Sequence, residues 1–108
     1  MRRYLGPMVD PAQTDESLPE RAEIVVIGGG IEGVSTALFL AERGVEVVLC
    51  EKGYIGAEQS SRNWGWVTAR NRDIRELPLC LASERLWAEL NDRVGFVACY
   101  RRTGSLRA

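Results

Sequence analysis

The sequence predicts an α/β chain organised around one parallel βαβ unit, and three observations predict it. An apolar run, Ile24–Ile27, meets a glycine-rich turn in the order G-x-G-x-x-G, with Gly28, Gly30 and Gly33 as the glycines. Apolar residues then recur at helical spacing. A second apolar stretch, Val45, Val47, Val48 and Leu49, is followed by an acid, Glu51.

Each element has its own justification. Gly28 lets the chain turn sharply at the end of the first strand, where a side chain would clash. Val34, Ala37, Leu38 and Ala41 stand at i, i+3, i+4 and i+7, which makes one apolar stripe of a helix lying on a sheet. Gly44 stands where a helix-ending glycine belongs. Val45, Val47, Val48 and Leu49 then read as a buried parallel strand. Glu51 follows at the carboxyl end of that strand.

In this context the glycines carry chemistry. Without a Cβ at Gly30, a pyrophosphate can approach the backbone, and Gly33 lets the helix pack closely. The helix N-terminus offers unpaired N–H groups and partial positive charge to an anion. Glu51 can accept hydrogen bonds from ribose hydroxyls, and its charge would repel a 2′-phosphate, which argues against NADP. Residues 24–51 are therefore a dinucleotide-binding fingerprint for the ADP half of FAD or of a nicotinamide cofactor. Gly28, Gly29, Gly30, Ile31, Gly33 and Glu51 are its candidate binding residues.

Composition narrows the field. The chain has 108 residues and a formal net charge of −1, so no bulk charge recruits nucleic acid. It has no histidine, which removes the commonest general base and metal ligand. Cys50, Cys80 and Cys99 are widely spaced and form no C-x-x-C, so neither a metal site nor a disulfide framework is expected. A reducing, cytoplasmic compartment is the expectation. Cys50 reads as a small apolar strand residue. No integral membrane segment is expected, because glycines and Glu32 interrupt the apolar stretch at 24–41. Residues 1–22, with Pro7, Pro11 and Pro19, read as a flexible leader.

After Glu51 the composition is that of a loop, rich in Gly, Ser, Asn and Arg. Ser60, Ser61 and Asn63 offer hydrogen bonds, Arg62 a planar cationic fork, and Gly65 close backbone approach. On chemistry alone this is either a cofactor loop or a solvated turn with Trp64 and Trp66 packed on a core.

The glycine fingerprint, the acid after the second strand and the G-x-x-x-S-S-R-N-x-G segment at 56–65 together resemble the N-terminus of the D-amino-acid oxidase-like, FAD-dependent oxidoreductases. The form S-S-R-N-W-G-W is similar to a bacterial branch acting on secondary or D-amino acids and related amines. The resemblance implies that Gly28, Gly30 and Gly33 meet the FAD pyrophosphate. It implies that Glu51 holds the adenosine ribose, with Lys52 beside it near the adenine. Ser60, Ser61, Arg62 and Asn63 would line the stretch from pyrophosphate to flavin. It implies a parent reaction in which an amino acid or amine passes a hydride to flavin N5 and the imine hydrolyses.

Further along, Asp73 with Glu76 suggests a helix N-cap, although Pro78 allows the helix to begin near Leu77 instead. Leu79, Ala82, Leu86, Leu90 and Val94 give its expected apolar face, with Trp87 in the core and Gly95 ending it. Arg70, Arg72 and Arg75 read as a solvated basic face. Residues 96–102 read as a strand and Thr103, Gly104 and Ser105 as a turn, the start of a β-hairpin.

The expected organisation is a leader at 1–22, a partial FAD-binding domain at 23–97 and the start of a truncated substrate domain at 98–108. Two strands and two helices leave sheet edges and an apolar face uncovered. The expectation is therefore an N-terminal portion, inactive alone, with no catalytic residue and no metal ligand to name. The alternatives are an NAD-binding dehydrogenase domain, against which the 56–65 loop speaks, and a non-catalytic remnant.

Overall fold

In the computed structural model residues 12–95 and 98–104 are described. They form two compact units, one ending at Trp64 and the other beginning at Gly65.

In the first unit, β1 (Ile24–Ile27) and β2 (Val47–Cys50) pair in parallel. Ile24 lies opposite Val47 and Ile27 opposite Cys50. The helix α1 (Ile31–Ala41) connects them, which makes the expected βαβ unit. Residues 12–22 have no regular secondary structure.

The end of α1 explains why β2 starts later than its apolar run. Gly44 takes φ +77 and donates its N–H to Ala41 O at 2.9 Å, while Val45 N–H donates to Leu40 O at 3.1 Å. This double closure is the Schellman pattern. It consumes the Val45 N–H, so Val45 ends the helix and does not join the ladder.

One helix covers one face of a two-stranded sheet. Val34, Ala37 and Leu38 are half-buried as expected, whereas Ala41 is exposed. β2 is half-buried along its length, not buried. On β1, Val25 is 57% and Ile27 87% exposed, so the sheet keeps an open apolar face.

The second unit is built on α2 (Leu77–Val94). Asp73 does not cap it. Its carboxylate is taken by Arg75, through the backbone N–H at 2.9 Å and the guanidinium at 2.7 Å. The helix begins at Leu77, where Pro78 falls in the first turn and its missing N–H costs nothing. Gly95, at φ +73, ends it.

The face that α2 covers matches the expected one at Trp87, Leu90 and Val94 and departs from it earlier in the helix. Leu79, Ala82 and Leu86 are exposed, and Leu90 and Val94 are half-buried. The covered face runs through Cys80, Glu84, Trp87 and Leu90. Polar and aromatic contacts decide this. Glu84 Oε1 accepts the Ala69 N–H at 2.9 Å, and Asn91 Oδ1 accepts the Ala98 N–H at 2.7 Å. Trp87 stacks on Tyr100 with ring centroids 6.2 Å apart.

The strand expected at 96–102 does not form among its described residues, 98–102. Cys99 takes φ +58, outside the β region, and no strand among the described residues pairs with this segment. Phe96, Val97 and Ser105 of the expected hairpin lie outside the described residues.

Candidate functional site

The site is the junction of β1, α1 and the loop after β2, all within the first unit. Gly28 leaves β1 at φ +111, a conformation that favours glycine, while its N–H still donates to Cys50 O at 2.8 Å. The chain therefore turns away at the end of the paired register and delivers Gly30 to the start of α1.

Gly33 is required by packing. A Cβ there would lie 1.9 Å from the Gly28 carbonyl oxygen and 3.5 Å from Val26 Cγ1. The first turn of α1 thus lies directly against the glycine loop. Among the described residues, the N–H groups of Glu32 and Gly33 have no acceptor, as expected of a helix N-terminus.

Gly29 is the one buried residue among those described. Its N–H donates to Glu51 Oε2 at 2.7 Å, and its carbonyl accepts the Gly56 N–H at 2.7 Å. Glu51 Oε1 accepts the Gly53 N–H at 2.8 Å. The carboxylate therefore ties the glycine loop to the turn after β2. The Gly29 and Gly53 N–H groups, in that order, hold its carboxyl below the ordinary glutamate range, aided by the charge of Lys52. Each oxygen keeps a lone pair for a further donor.

The 56–63 loop reaches the same place. A short 3-10 turn, Gln59–Ser61, presents Ser60, whose Oγ accepts the Ile31 N–H at 2.8 Å. That oxygen would also sit 3.1 Å from a Cβ at position 30. The neighbouring candidates turn elsewhere. Ser61 Oγ donates to Glu58 O at 3.1 Å, and Asn63 Nδ2 donates to Ser60 O. Arg62 pairs with Glu58 at 3.6 Å, and Lys52 pairs with the same carboxylate at 3.7 Å. Trp64 and Trp66 are 82% and 75% exposed, so neither packs on a core.

Three contributors were not foreseen from the sequence. Glu58 bridges Lys52 and Arg62, Gly53 supplies the second donor to Glu51, and Ile55 Cδ1 lies 2.6 Å from where a Gly29 Cβ would stand. Gly56 carried a visible signal, since it opens the segment that ends at Gly65. The lone acid Glu58 carried none.

The family model described as FAD dependent oxidoreductase (DAO) matches residues 23–108. Human mitochondrial dimethylglycine dehydrogenase is 34% identical over 103 residues, which is 94% of this chain and 12% of that protein. Gamma-glutamylputrescine oxidoreductase of Escherichia coli K12 is 47% identical over 53 residues, 48% of this chain and 12% of that protein. The solved L-amino acid deaminase of Proteus vulgaris superposes with a TM-score of 0.78 at 40% identity, covering 86% of this chain and 21% of that one. The chain thus spans about an eighth to a fifth of the length of these relatives.

Proposed function

The chain belongs to the DAO family of FAD dependent oxidoreductases, and from that premise we propose that it forms the adenine and pyrophosphate half of a flavin site serving the oxidation of an amino acid or amine. The observation that carries this reading is the cradle at the start of α1. Glu32 and Gly33 there offer N–H groups with no acceptor among the described residues, and Gly30 beside them bears no side chain. A diphosphate fits such a place by charge and by shape.

In this reading the loop of Gly28, Gly29, Gly30, Ile31 and Gly33 lies along the pyrophosphate, which takes the Glu32 and Gly33 N–H groups while those of Gly28, Gly29 and Ile31 stay with Cys50, Glu51 and Ser60. Glu51 accepts ribose hydroxyls with the lone pairs its backbone partners leave, and Lys52 lies on the adenine side. Ser60, Ser61, Arg62 and Asn63 continue towards the flavin. When bound, FAD supplies the electron acceptor for a hydride from the substrate carbon. The residues of this chain bind and orient, and none is assigned to the chemical step.

The substrate class is supported by the relatives, whose names specify dimethylglycine, gamma-glutamylputrescine and L-amino acids. An NAD-binding dehydrogenase is not favoured, because the FAD-dependent family model runs through the loop that distinguishes the two. Residues 23–97 as the FAD-binding part, 98–108 as the beginning of a substrate domain, and a cytoplasmic location complete the proposal.

Titration of the purified chain with FAD, read by flavin fluorescence, tests the cofactor assignment. Gly30→Val and Glu51→Ala should each weaken binding at least about tenfold, the loss expected when a close approach or a charge-assisted hydrogen bond is removed. Wild-type affinity in both variants would sink it.

A further inference from the structure

Helix α1 begins without a cap of its own. Its N-cap residue is Gly30, which has no side chain to accept an N–H from the first turn. The first-turn N–H of Ile31 is nevertheless satisfied, by the hydroxyl of Ser60 at 2.8 Å, from 29 residues away. Ser60 is half-buried, and its carbonyl is held in turn by Asn63 Nδ2. Two further bonds close the same stretch onto the glycine loop, Gly56 N–H to Gly29 O at 2.7 Å and Gly29 N–H to Glu51 Oε2 at 2.7 Å.

We infer that Ser60 is a positioning residue that caps α1 from the second loop and remains in place when the dinucleotide binds, so that the glycine loop and the 56–63 loop are set as one rigid unit. This rests on the reading of the site as an FAD site. The chemistry allows both jobs at once. Toward Ile31 the hydroxyl acts as an acceptor, so its own proton is not consumed there. The Glu32 and Gly33 N–H groups are left for the anion. The absent side chain at Gly30 then has a second cause beside phosphate approach, since a Cβ there would crowd Ser60 Oγ at 3.1 Å.

The opposite arrangement makes an opposite prediction. If Ser60 merely filled the anion's place until the cofactor arrived, removing its hydroxyl would remove a competitor and FAD would bind more tightly. If Ser60 is the fastener, removing it loosens the loop and FAD binds more weakly.

The experiment uses the full chain and its Ser60→Ala and Ser60→Thr variants, with amide hydrogen exchange of Ile31 measured without ligand and FAD affinity measured by flavin fluorescence. In Ser60→Ala, Ile31 exchange should rise about fivefold and the FAD dissociation constant should rise by a similar factor, the usual worth of a capping hydroxyl. Ser60→Thr keeps the hydroxyl and should restore both. Unchanged Ile31 exchange in Ser60→Ala, or tighter FAD binding, overturns the inference. Failure of the wild-type chain to bind FAD would overturn the cofactor reading instead, and the ligand-free exchange would still decide whether Ser60 caps α1.

Discussion

Glu51 Oε2 accepts the backbone N–H of Gly29 at 2.7 Å, so the acid at the end of β2 grips the middle of the glycine loop at the end of β1. The two strands are already paired through Ile27 and Cys50. The carboxylate extends that pairing past the last backbone rung, by side chain, to the residues a dinucleotide would meet. An acid at this position therefore has a structural task as well as a recognition task.

That grip should be pH-dependent. The Gly29 N–H, and after it the Gly53 N–H, hold the Glu51 carboxyl below its ordinary value, which is about 4.3. A depressed folded pKa means the unfolded chain takes up the proton first. The stabilisation is thus complete above the unfolded value and is lost as pH falls through the folded one. Thermal unfolding followed from pH 7 to pH 3 should show a steeper acid loss in the wild type than in Glu51→Gln. Parallel curves would show that the carboxylate contributes nothing to the fold.

Gly33 and Gly30 should separate folding from binding. In Gly33→Ala the new methyl would lie 1.9 Å from the Gly28 carbonyl oxygen, and neither backbone can yield without moving α1 off the loop. A cost of about 2–3 kcal/mol is expected in denaturant unfolding, the range for overpacking at a rigid contact. In Gly30→Ala the methyl meets only Ser60 Oγ at 3.1 Å. Stability should change by less than about 1 kcal/mol there, while FAD binding weakens. Equal unfolding midpoints for the two variants would contradict the close approach at Gly33.

The ion pairs around Glu58 should matter little to stability. Lys52 and Arg62 share its carboxylate at 3.7 and 3.6 Å, and all three side chains are more than half exposed. Solvent screens such pairs to roughly 0–1 kcal/mol. Glu58→Ala should leave the melting temperature near wild type at both low and high salt. A salt-dependent drop would give the bridge a weight that its exposure does not suggest.

What could be read in advance follows from the range of the forces involved. β1, α1 and β2 were legible because periodicity and glycine placement act locally, and the βαβ unit closes within 28 residues. The glycine loop, Glu51 and Ser60, named from the sequence, come together at one junction, but the partners that hold them there were not legible. Nothing local to Ser60 says that it caps a helix starting at Ile31, and nothing local to Glu58 says that it gathers two cations. In the second unit the helix from Leu77 to its end at Gly95, and the covering of Trp87, Leu90 and Val94, were legible, but the rest of its covered face was not, for the same reason. Leucine spacing selected the Leu79 and Leu86 face of α2, whereas the covered face was chosen by Glu84, Trp87 and Asn91, which bind segments lying before and after the helix.

Glu84 gives the sharpest test of that second arrangement. Its Oε1 accepts the Ala69 N–H at 2.9 Å and fixes the segment that leads into α2. Substitution by alanine leaves that N–H to water or unpaired, at a net cost of about 1.5–3 kcal/mol for a bond to a charged acceptor. Substitution by glutamine keeps a carbonyl oxygen at the same reach and should recover most of the loss. Amide exchange at Ala69 would report the bond directly, rising in Glu84→Ala and staying low in Glu84→Gln. The Trp87–Tyr100 pair lies along the same helix face, at 6.2 Å between rings, and near-UV circular dichroism reports it independently. If Glu84 anchors only its own segment, Glu84→Ala should leave that aromatic signal intact while Ala69 exchanges faster. Loss of both signals together would mean that the two segments are held on α2 cooperatively and that Glu84 supports the whole unit.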